Sequence, residues 1–271
     1  IILDKHINEL DKLGFTVIYD IFTSSDIEDM KKSYIEIQNK ANYILNNTCA
    51  YERRWQENDQ ETVSKYWKYK EYYHSNSNSK LDEYVYRKKT KHSINTQEER
   101  NISNKTTNQS MNYIILQAGE DRYDLWKGFS SQIPHHILYN SYIEKIMKKL
   151  LYNNYDHYSG IIMSNPGSSD QYFHRDTDSL SNFNNTNGSI LVQMDSFYYT
   201  VLIPITIDMT IMNGTTEFMV GSHRRPSYEF NELELKQLEV PLGSVLIFDG
   251  KINHRGKGNN SNDERPLYIS K

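Results

Sequence analysis

Cysteine is almost missing from this 271-residue chain. Cys49 stands alone, which excludes a small secreted fold held by disulfides and fits a reducing compartment. An excess of one charge is missing as well. With 31 basic and 35 acidic residues the net charge is −4, so the composition makes no electrostatic case for nucleic acid. No run of 18 apolar residues free of polar interruption occurs, so no membrane span is expected. The chain starts at Ile1 without a methionine and reads as a trimmed fragment, whose removed ends leave room for a targeting segment. An intracellular, cytoplasmic location is the expectation. Asn-x-Ser/Thr triplets such as those at Asn46, Asn213 and Asn259 arise by chance in so asparagine-rich a chain and carry no weight as glycan sites.

What is present is β-rich toward the end. From Ser189 to Lys271 the runs SILVQMDSFYYTVLIPITI, TTEFMV, SVLIFDG and PLYIS are apolar, β-branched and aromatic. Turn signals such as NG at 213–214 and LG at 242–243 separate them, which favours a barrel or sandwich.

Within that unit, SSDQYFHRDTDS carries His174 and Asp176 two residues apart. On a strand such residues share a face, so they can hold one ion together, with a distant histidine as third ligand. Two histidines and one carboxylate leave open positions on an octahedral ion, the arrangement of non-haem Fe(II) oxygenases. His254 ends SVLIFDGKINH and Arg265 opens PLYIS, with the turn-like RGKGNNSNDE between them. A hairpin here would set the two strands side by side, with both side chains facing the interior. The planar guanidinium of Arg265 suits the far carboxylate of a diacid whose other end chelates the ion.

QYFHRD, PITIDMTIMNGTTEFMVGSHR and GSVLIFDGKINHRGKGNNSNDER together resemble the phytanoyl-CoA hydroxylase-like branch of the Fe(II)/2-oxoglutarate dioxygenases. The opening GFTVIYDIFTSSDIEDMKKSY is loosely similar to the start of that family, and the likeness is close over about residues 158–271. The resemblance implies a mainly β fold with flanking helices around a double-stranded β-helix (jelly-roll, cupin-like) core. It implies Fe(II) on His174, Asp176 and His254, with 2-oxoglutarate salt-bridged to Arg265. It also implies O₂-dependent hydroxylation of a small molecule, with release of succinate and CO₂. Relatives that halogenate carry a small residue where Asp176 stands, so the carboxylate implies hydroxylation. Gly256 occupies a place where some relatives carry a hydroxyl that helps bind the co-substrate, so Arg265 is expected to work with a different partner. Pro266 removes a strand donor directly after it.

One domain is expected over 1–271: a strand-and-helix support at 1–48, a polar insertion at 49–112 and the β core at 113–271. Residues 4–13 read as a helix stopped by Gly14, and FTVIY as a strand. Ser25 with Glu28 reads as a capping box opening a helix whose stripe is Ile27, Met30, Tyr34, Ile37, Ala41 and Ile44. NYIILQAG reads as a strand, and SYIEKIMKKLLY as a second long helix. The insertion mixes cations and aromatics in KYWKYKEYY and LDEYVYRKKTK. That pattern suits a substrate lid or a nucleic-acid surface, and equally tyrosines and lysine stems covering the barrel.

Other residues carry competing readings. His135 and His136 point apart and are poor partners for one ion. His223 in GSHRRP reads as a turn stabiliser. Asp178 competes with Asp176 or supports it from behind. Gln171, Met163 and Ile203 are candidates to line the co-substrate pocket, with an exposed strand position and core packing as the plain alternatives. A catalytically silent β-barrel binding protein is the rival to an enzyme. Oxygenation of a protein or nucleic acid is the rival substrate class.

Overall fold

A computed structural model describes residues 2–47, 113–152, 155–176, 195–225 and 233–271. The 49–112 insertion, Asp178 and the front of the 189–207 apolar run lie outside these residues.

The chain opens with α1 (Ile2–Leu13), which Gly14 ends at φ +88° before β1 (Phe15–Ile18). The long helix α2 follows (Ser24–Asn47). Its capping box lies two residues earlier than the Ser25–Glu28 pair read from sequence. The Thr23 backbone N–H donates to Asp26 Oδ2 at 2.7 Å, and Asp26 N–H donates to Thr23 Oγ1 at 3.2 Å. T-x-x-D and S-x-x-E satisfy the same donors, and the helix starts where the first of them sits. The expected stripe is the inward one: Met30, Tyr34, Ile37, Ala41 and Ile44 are each at most 3% exposed, and Ile27 at its start is partly buried against the same cluster.

β2 (Tyr113–Gly119) and β3 (Arg122–Lys127) form a hairpin. The short α3 (His135–Leu138) and then α4 (Ser141–Leu151) follow, the latter capped by the Asn140 side chain. β4 (Ser159–Ser164), β5 (Tyr199–Pro204), β6 (Thr216–Met219), β7 (Leu235–Gln237), β8 (Val245–Asp249), β9 (His254–Gly256) and β10 (Arg265–Ser270) complete the chain.

The strands form two antiparallel sheets. The larger runs β1-β8-β5-β10-β4-β3-β2, the smaller β7-β6-β9. Pleat alternation then builds two cores. Val201, Ile203, Ile161, Met163, Ile247 and Tyr268 turn outward, into one cluster with α2 and α4. Leu202, Leu246, Phe248, Leu267 and Ile269 turn inward, against Phe218, Met209 and Ile252 of the small-sheet side. Side chains that alternate between two covered faces explain why β5 and β8 read as unbroken apolar runs. No described helix is long and apolar enough to cross a membrane.

The connection from β9 to β10 corrects the hairpin expectation. β9 pairs with β6 in the small sheet, while β10 lies between β4 and β5 in the large one. The 257–264 segment crosses between sheets around Asn259, which is fully buried. Its Nδ2 donates to Ser164 O at 2.9 Å and Asp263 O at 2.8 Å, and its Oδ1 accepts from Ser261 N–H at 3.0 Å. Asn-Gly at 213–214 is a turn as expected: Gly214 has φ +87°, and any Cβ there would run into the Lys257 and Gly258 carbonyls. Pro266 is tolerated because the β5 ladder reaches β10 only at Leu267, opposite Pro204.

Candidate metal and co-substrate site

His174 reaches the interior through a single β-bridge to His254, in which each N–H donates to the other's carbonyl at 2.9 Å. That bridge puts the two imidazoles side by side, with ring centroids 4.5 Å apart. Asp176, two residues on, shares their face. One ligand atom from each of His174, Asp176 and His254 lies within 4.8 Å of the others, a group that could hold a metal ion.

The hydrogen bonds behind these side chains fix their chemistry. His174 Nδ1 meets Tyr172 O at 2.9 Å, and His254 Nδ1 meets Ile252 O at 3.0 Å. A carbonyl only accepts, so both Nδ1 atoms carry the proton and both Nε2 atoms present a lone pair. Burial pushes the His174 imidazole down to about 3 and lowers His254 as well, so neither is protonated near neutrality. Asp176 divides its oxygens. Oδ1 faces His174 Nε2 at 3.8 Å, while Oδ2 accepts from Thr200 Oγ1 at 2.7 Å and pairs with Lys271 Nζ at 3.3 Å. Burial opposes the Asp176 charge, yet Lys271, the imidazoles and Thr200 hold the carboxyl below its ordinary value. Two neutral imidazoles and a carboxylate form the donor set that suits Fe(II). Arg175, between the ligands in sequence, turns the other way and donates Nη2 to Ser222 O and Arg225 O, each at 2.9 Å.

Arg265 is 3% exposed and donates Nε to Asn213 O at 2.9 Å. Among the described residues no carboxylate pairs with it. Burial, together with the neighbouring charge of Arg122, pushes it down to about 9. Arg122 was not singled out from sequence. It is equally buried, donates Nη2 to Lys257 O at 2.7 Å, and leaves Nε without a partner. A Cβ on Gly256 would overlap the Arg122 guanidinium and lie 2.7 Å from Gln171 Oε1. The arginine therefore occupies the space that a hydroxyl side chain would take there. Gly256 lies two residues beyond His254 on the same face, roughly 7 Å along the strand. Arg265, buried with no carboxylate partner among the described residues, and beside it Arg122, whose charge Asp124 and Asp170 offset in part, make a cationic pocket next to the metal-binding triad that fits the far carboxylate of 2-oxoglutarate.

The remaining expectations divide. Gln171 lies at the site, but its Oε1 accepts from Gly256 N–H at 2.9 Å, so it ties the irregular segment before His174 to β9. Met163 and Ile203 sit in the helix-facing cluster, on the opposite side of the sheet from Arg265, because the pleat parity of β4 and β5 turns them outward. His136 is half exposed and meets Asp26 at 3.3 Å, far from the triad in the fold. His223 is buried in a 3₁₀ turn (Ser222–Arg224), with Nε2 3.1 Å from Asp11 O, the stabilising role expected of it. Thr200, Lys271 and Tyr198 join the site without having been foreseen. Their roles arise from strand register, which no local motif encodes.

The sequence model of the family described as phytanoyl-CoA dioxygenase (PhyH) matches residues 10–267. The chain belongs to this family. Among curated relatives, the PhyH chain is 31% identical over 137 residues to the Fe(II)/2-oxoglutarate-dependent dioxygenase nvfF of Aspergillus novofumigatus, covering 50% of this chain and 43% of that protein. It is 28% identical over 154 residues to the dioxygenase hkm4 of Aspergillus hancockii, covering 55% and 48%. The matches thus span less than half the length of these relatives. Among solved structures, EctD from S. alaskensis, determined with 2-oxoglutarate and 5-hydroxyectoine, aligns with TM-score 0.58 at 13% identity over 98% of this chain and 74% of that one. SnoK, an alpha-ketoglutarate-dependent carbocyclase from nogalamycin biosynthesis, aligns with TM-score 0.57 at 11% identity over 98% and 81%. These likenesses establish the double-stranded β-helix fold for the PhyH chain.

Proposed function

We propose that this PhyH chain is a Fe(II)- and 2-oxoglutarate-dependent dioxygenase that hydroxylates a small molecule, with release of succinate and CO₂. The observation that carries the reading is the convergence of two Nε2 lone pairs and one Asp176 oxygen within 4.8 Å, each aimed by a hydrogen bond behind it. His174, Asp176 and His254 are the proposed ligands. Iron, when bound, supplies O₂ activation and decarboxylation of the co-substrate. The chain's own residues do the rest. Arg265 and Arg122 hold the distal carboxylate and so orient the 2-oxo acid. Thr200 and Lys271 keep Oδ2 of Asp176 engaged, leaving Oδ1 for the ion. Phe248, whose ring is tilted 57° to that of His254 with centroids 4.6 Å apart, and Phe218, 6.0 Å from it, keep water from that side.

The names of the relatives support the same reaction class, and a carboxylate at 176 supports hydroxylation as its outcome. A single cysteine and ferrous chemistry support an intracellular, reducing location. A silent binding barrel would have no reason to fix both histidine tautomers. The test is Fe(II)-dependent succinate formation from 2-oxoglutarate: Asp176→Ala should abolish it, and wild-type rates in that variant would refute the ligand assignment.

A further inference from the structure

Strand register sets a serine between the two buried arginines. Ser164, the last residue of β4, stands directly opposite Arg265 of β10 on one side and Arg122 of β3 on the other. Residues paired across neighbouring strands share a face, so the three side chains form one row, with strands about 4.8 Å apart. Leu267 and Ile162, two residues along β10 and β4, belong to the inward cluster, and that parity turns the row into the space between the sheets. Ser164 is fully buried there. Since Ile162 and Leu267 fill the next inward positions, nothing about the strand itself asks for a hydroxyl at 164.

The hydrogens around this serine do not balance. A turn over Asn165–Ser168, closed by Ser168 N–H donating to Asn165 O at 3.1 Å with Gly167 at φ +84°, brings Ser168 back onto β4. Its Oγ then lies 2.7 Å from Ser164 Oγ. Arg122 Nη2 donates to Ser164 Oγ at 3.4 Å, and Asn259 N–H donates to Ser168 Oγ at 3.3 Å. Neither donor can accept in return. The two hydroxyls therefore spend one hydrogen on each other and have one left, which no acceptor meets among the described residues. Arg122 Nε is also without a partner, and Arg265 commits only its Nε, to Asn213 O. Buried donors are almost always met, so a row in which every spare group is a donor calls for an acceptor brought in from outside.

We infer that Ser164 is a third donor to the far carboxylate of 2-oxoglutarate, giving its hydrogen to an oxygen held between Arg265 and Arg122 while Ser168 donates to it from behind. The inference rests on the dioxygenase reading for the identity of the co-substrate. It also accounts for Gly256: the hydroxyl that some relatives place beside the arginine from the strand of the second histidine comes here from β4.

The test compares 2-oxoglutarate with 2-oxopentanoate, which keeps the chelating end and lacks the far carboxylate. Both are titrated calorimetrically into the chain loaded with Mn(II). Ser164→Ala should weaken 2-oxoglutarate about tenfold or more, as a hydrogen bond to a charged group implies, and leave 2-oxopentanoate unchanged. Ser164→Cys, nearly the same shape with a weak donor, should show the same selective loss and carries the comparison if the alanine variant does not fold. Ser168→Ala, which keeps the Ser164 hydroxyl, should cost less than Ser164→Ala. Equal weakening of both ligands by the Ser164 variants would overturn the inference, because the serine would then only shape the site. So would 2-oxoglutarate affinity that survives them. Succinate formation by the wild type is measured separately: its absence would sink the dioxygenase reading, whereas a wild type that makes succinate and variants that still prefer 2-oxoglutarate would sink the role of Ser164 alone.

Discussion

Replacing Arg265 with methionine should leave the unliganded protein as stable as before, or more so, while nearly abolishing its response to 2-oxoglutarate. Arg265 is 3% exposed, has no carboxylate partner among the described residues, and stands beside a second buried cation, Arg122. Its fall from 12.5 to about 9 expresses a cost of a few kcal/mol for keeping the charge in that place. Methionine removes the charge and fills much of the volume. The loss is the hydrogen bond to Asn213 O, worth about 1.5–3 kcal/mol for a charged donor. These opposing contributions leave little net change in the apo protein. With ligand the balance reverses. At a hundred times its Kd, 2-oxoglutarate stabilises the wild type by about 2.7 kcal/mol, or roughly 5–10 °C in Tm for a domain of this size. Losing a buried charge pair costs at least about 2 kcal/mol, roughly thirtyfold in Kd. The same ligand concentration then stabilises the variant by under about 1 kcal/mol, a shift of roughly 2–3 °C. Circular dichroism melts with Mn(II) across a 2-oxoglutarate series measure both numbers. A variant that keeps the full ligand shift refutes the anion-site argument. So does an apo variant that loses as much as a core truncation, about 2–5 kcal/mol.

Three other outcomes follow from the same contacts. Thr200→Val removes the donor to Asp176 Oδ2 and should weaken Mn(II) binding about 10- to 100-fold, read by paramagnetic titration; unchanged affinity would show the contact to be incidental. Gly256→Ala puts a methyl into the Arg122 guanidinium and should raise the 2-oxoglutarate Kd about tenfold, with a stability loss of about 1–3 kcal/mol, measured by calorimetry and urea denaturation. If Kd holds while stability falls, Arg122 only packs. Glu264 is raised above its ordinary 4.5 by burial, against the opposing hydrogen bonds of Tyr34 and Gln38. A raised folded value favours the protonated native state, so this contribution is present below about 4.5 and lost as pH rises through the folded value. Glu264→Gln, which can accept from Tyr34 and Gln38 still, should therefore gain stability relative to wild type between pH 4 and 8. Parallel melting curves across that range would contradict it.

That His174, Asp176 and His254 come together, and that Arg265 is buried, was legible from motif spacing, even though the path between His254 and Arg265 was not. His174 and Asp176 stand two residues apart on one segment, although that segment makes only a single bridge to β9 and no strand, and the stripe of α2 shows its buried face in sequence. Arg122, Thr200 and Lys271 were not legible. Arg122 and Thr200 reach the site from β3 and β5, and Lys271 from just past the far end of β10, by a register that forms only when the sandwich closes. Met163 and Ile203 illustrate the same limit. In a run buried on both faces every residue is apolar, so composition cannot tell which parity points inward. The hairpin between His254 and Arg265 failed for a related reason. A polar, glycine- and asparagine-rich segment signals a reversal, but not whether the chain returns to the same sheet or to the one facing it.

That crossing has a mechanical corollary. Since His254, a proposed ligand, and Arg265 belong to opposing layers, the span that a diacid held as proposed must bridge is governed by how far apart those layers stand. Asn259 ties the crossover to Ser164 at the end of β4, and so is placed to act as a stop on this opening. Loosening it would blur discrimination between a five-carbon diacid and its shorter or longer homologues, with every residue that touches the acid left in place.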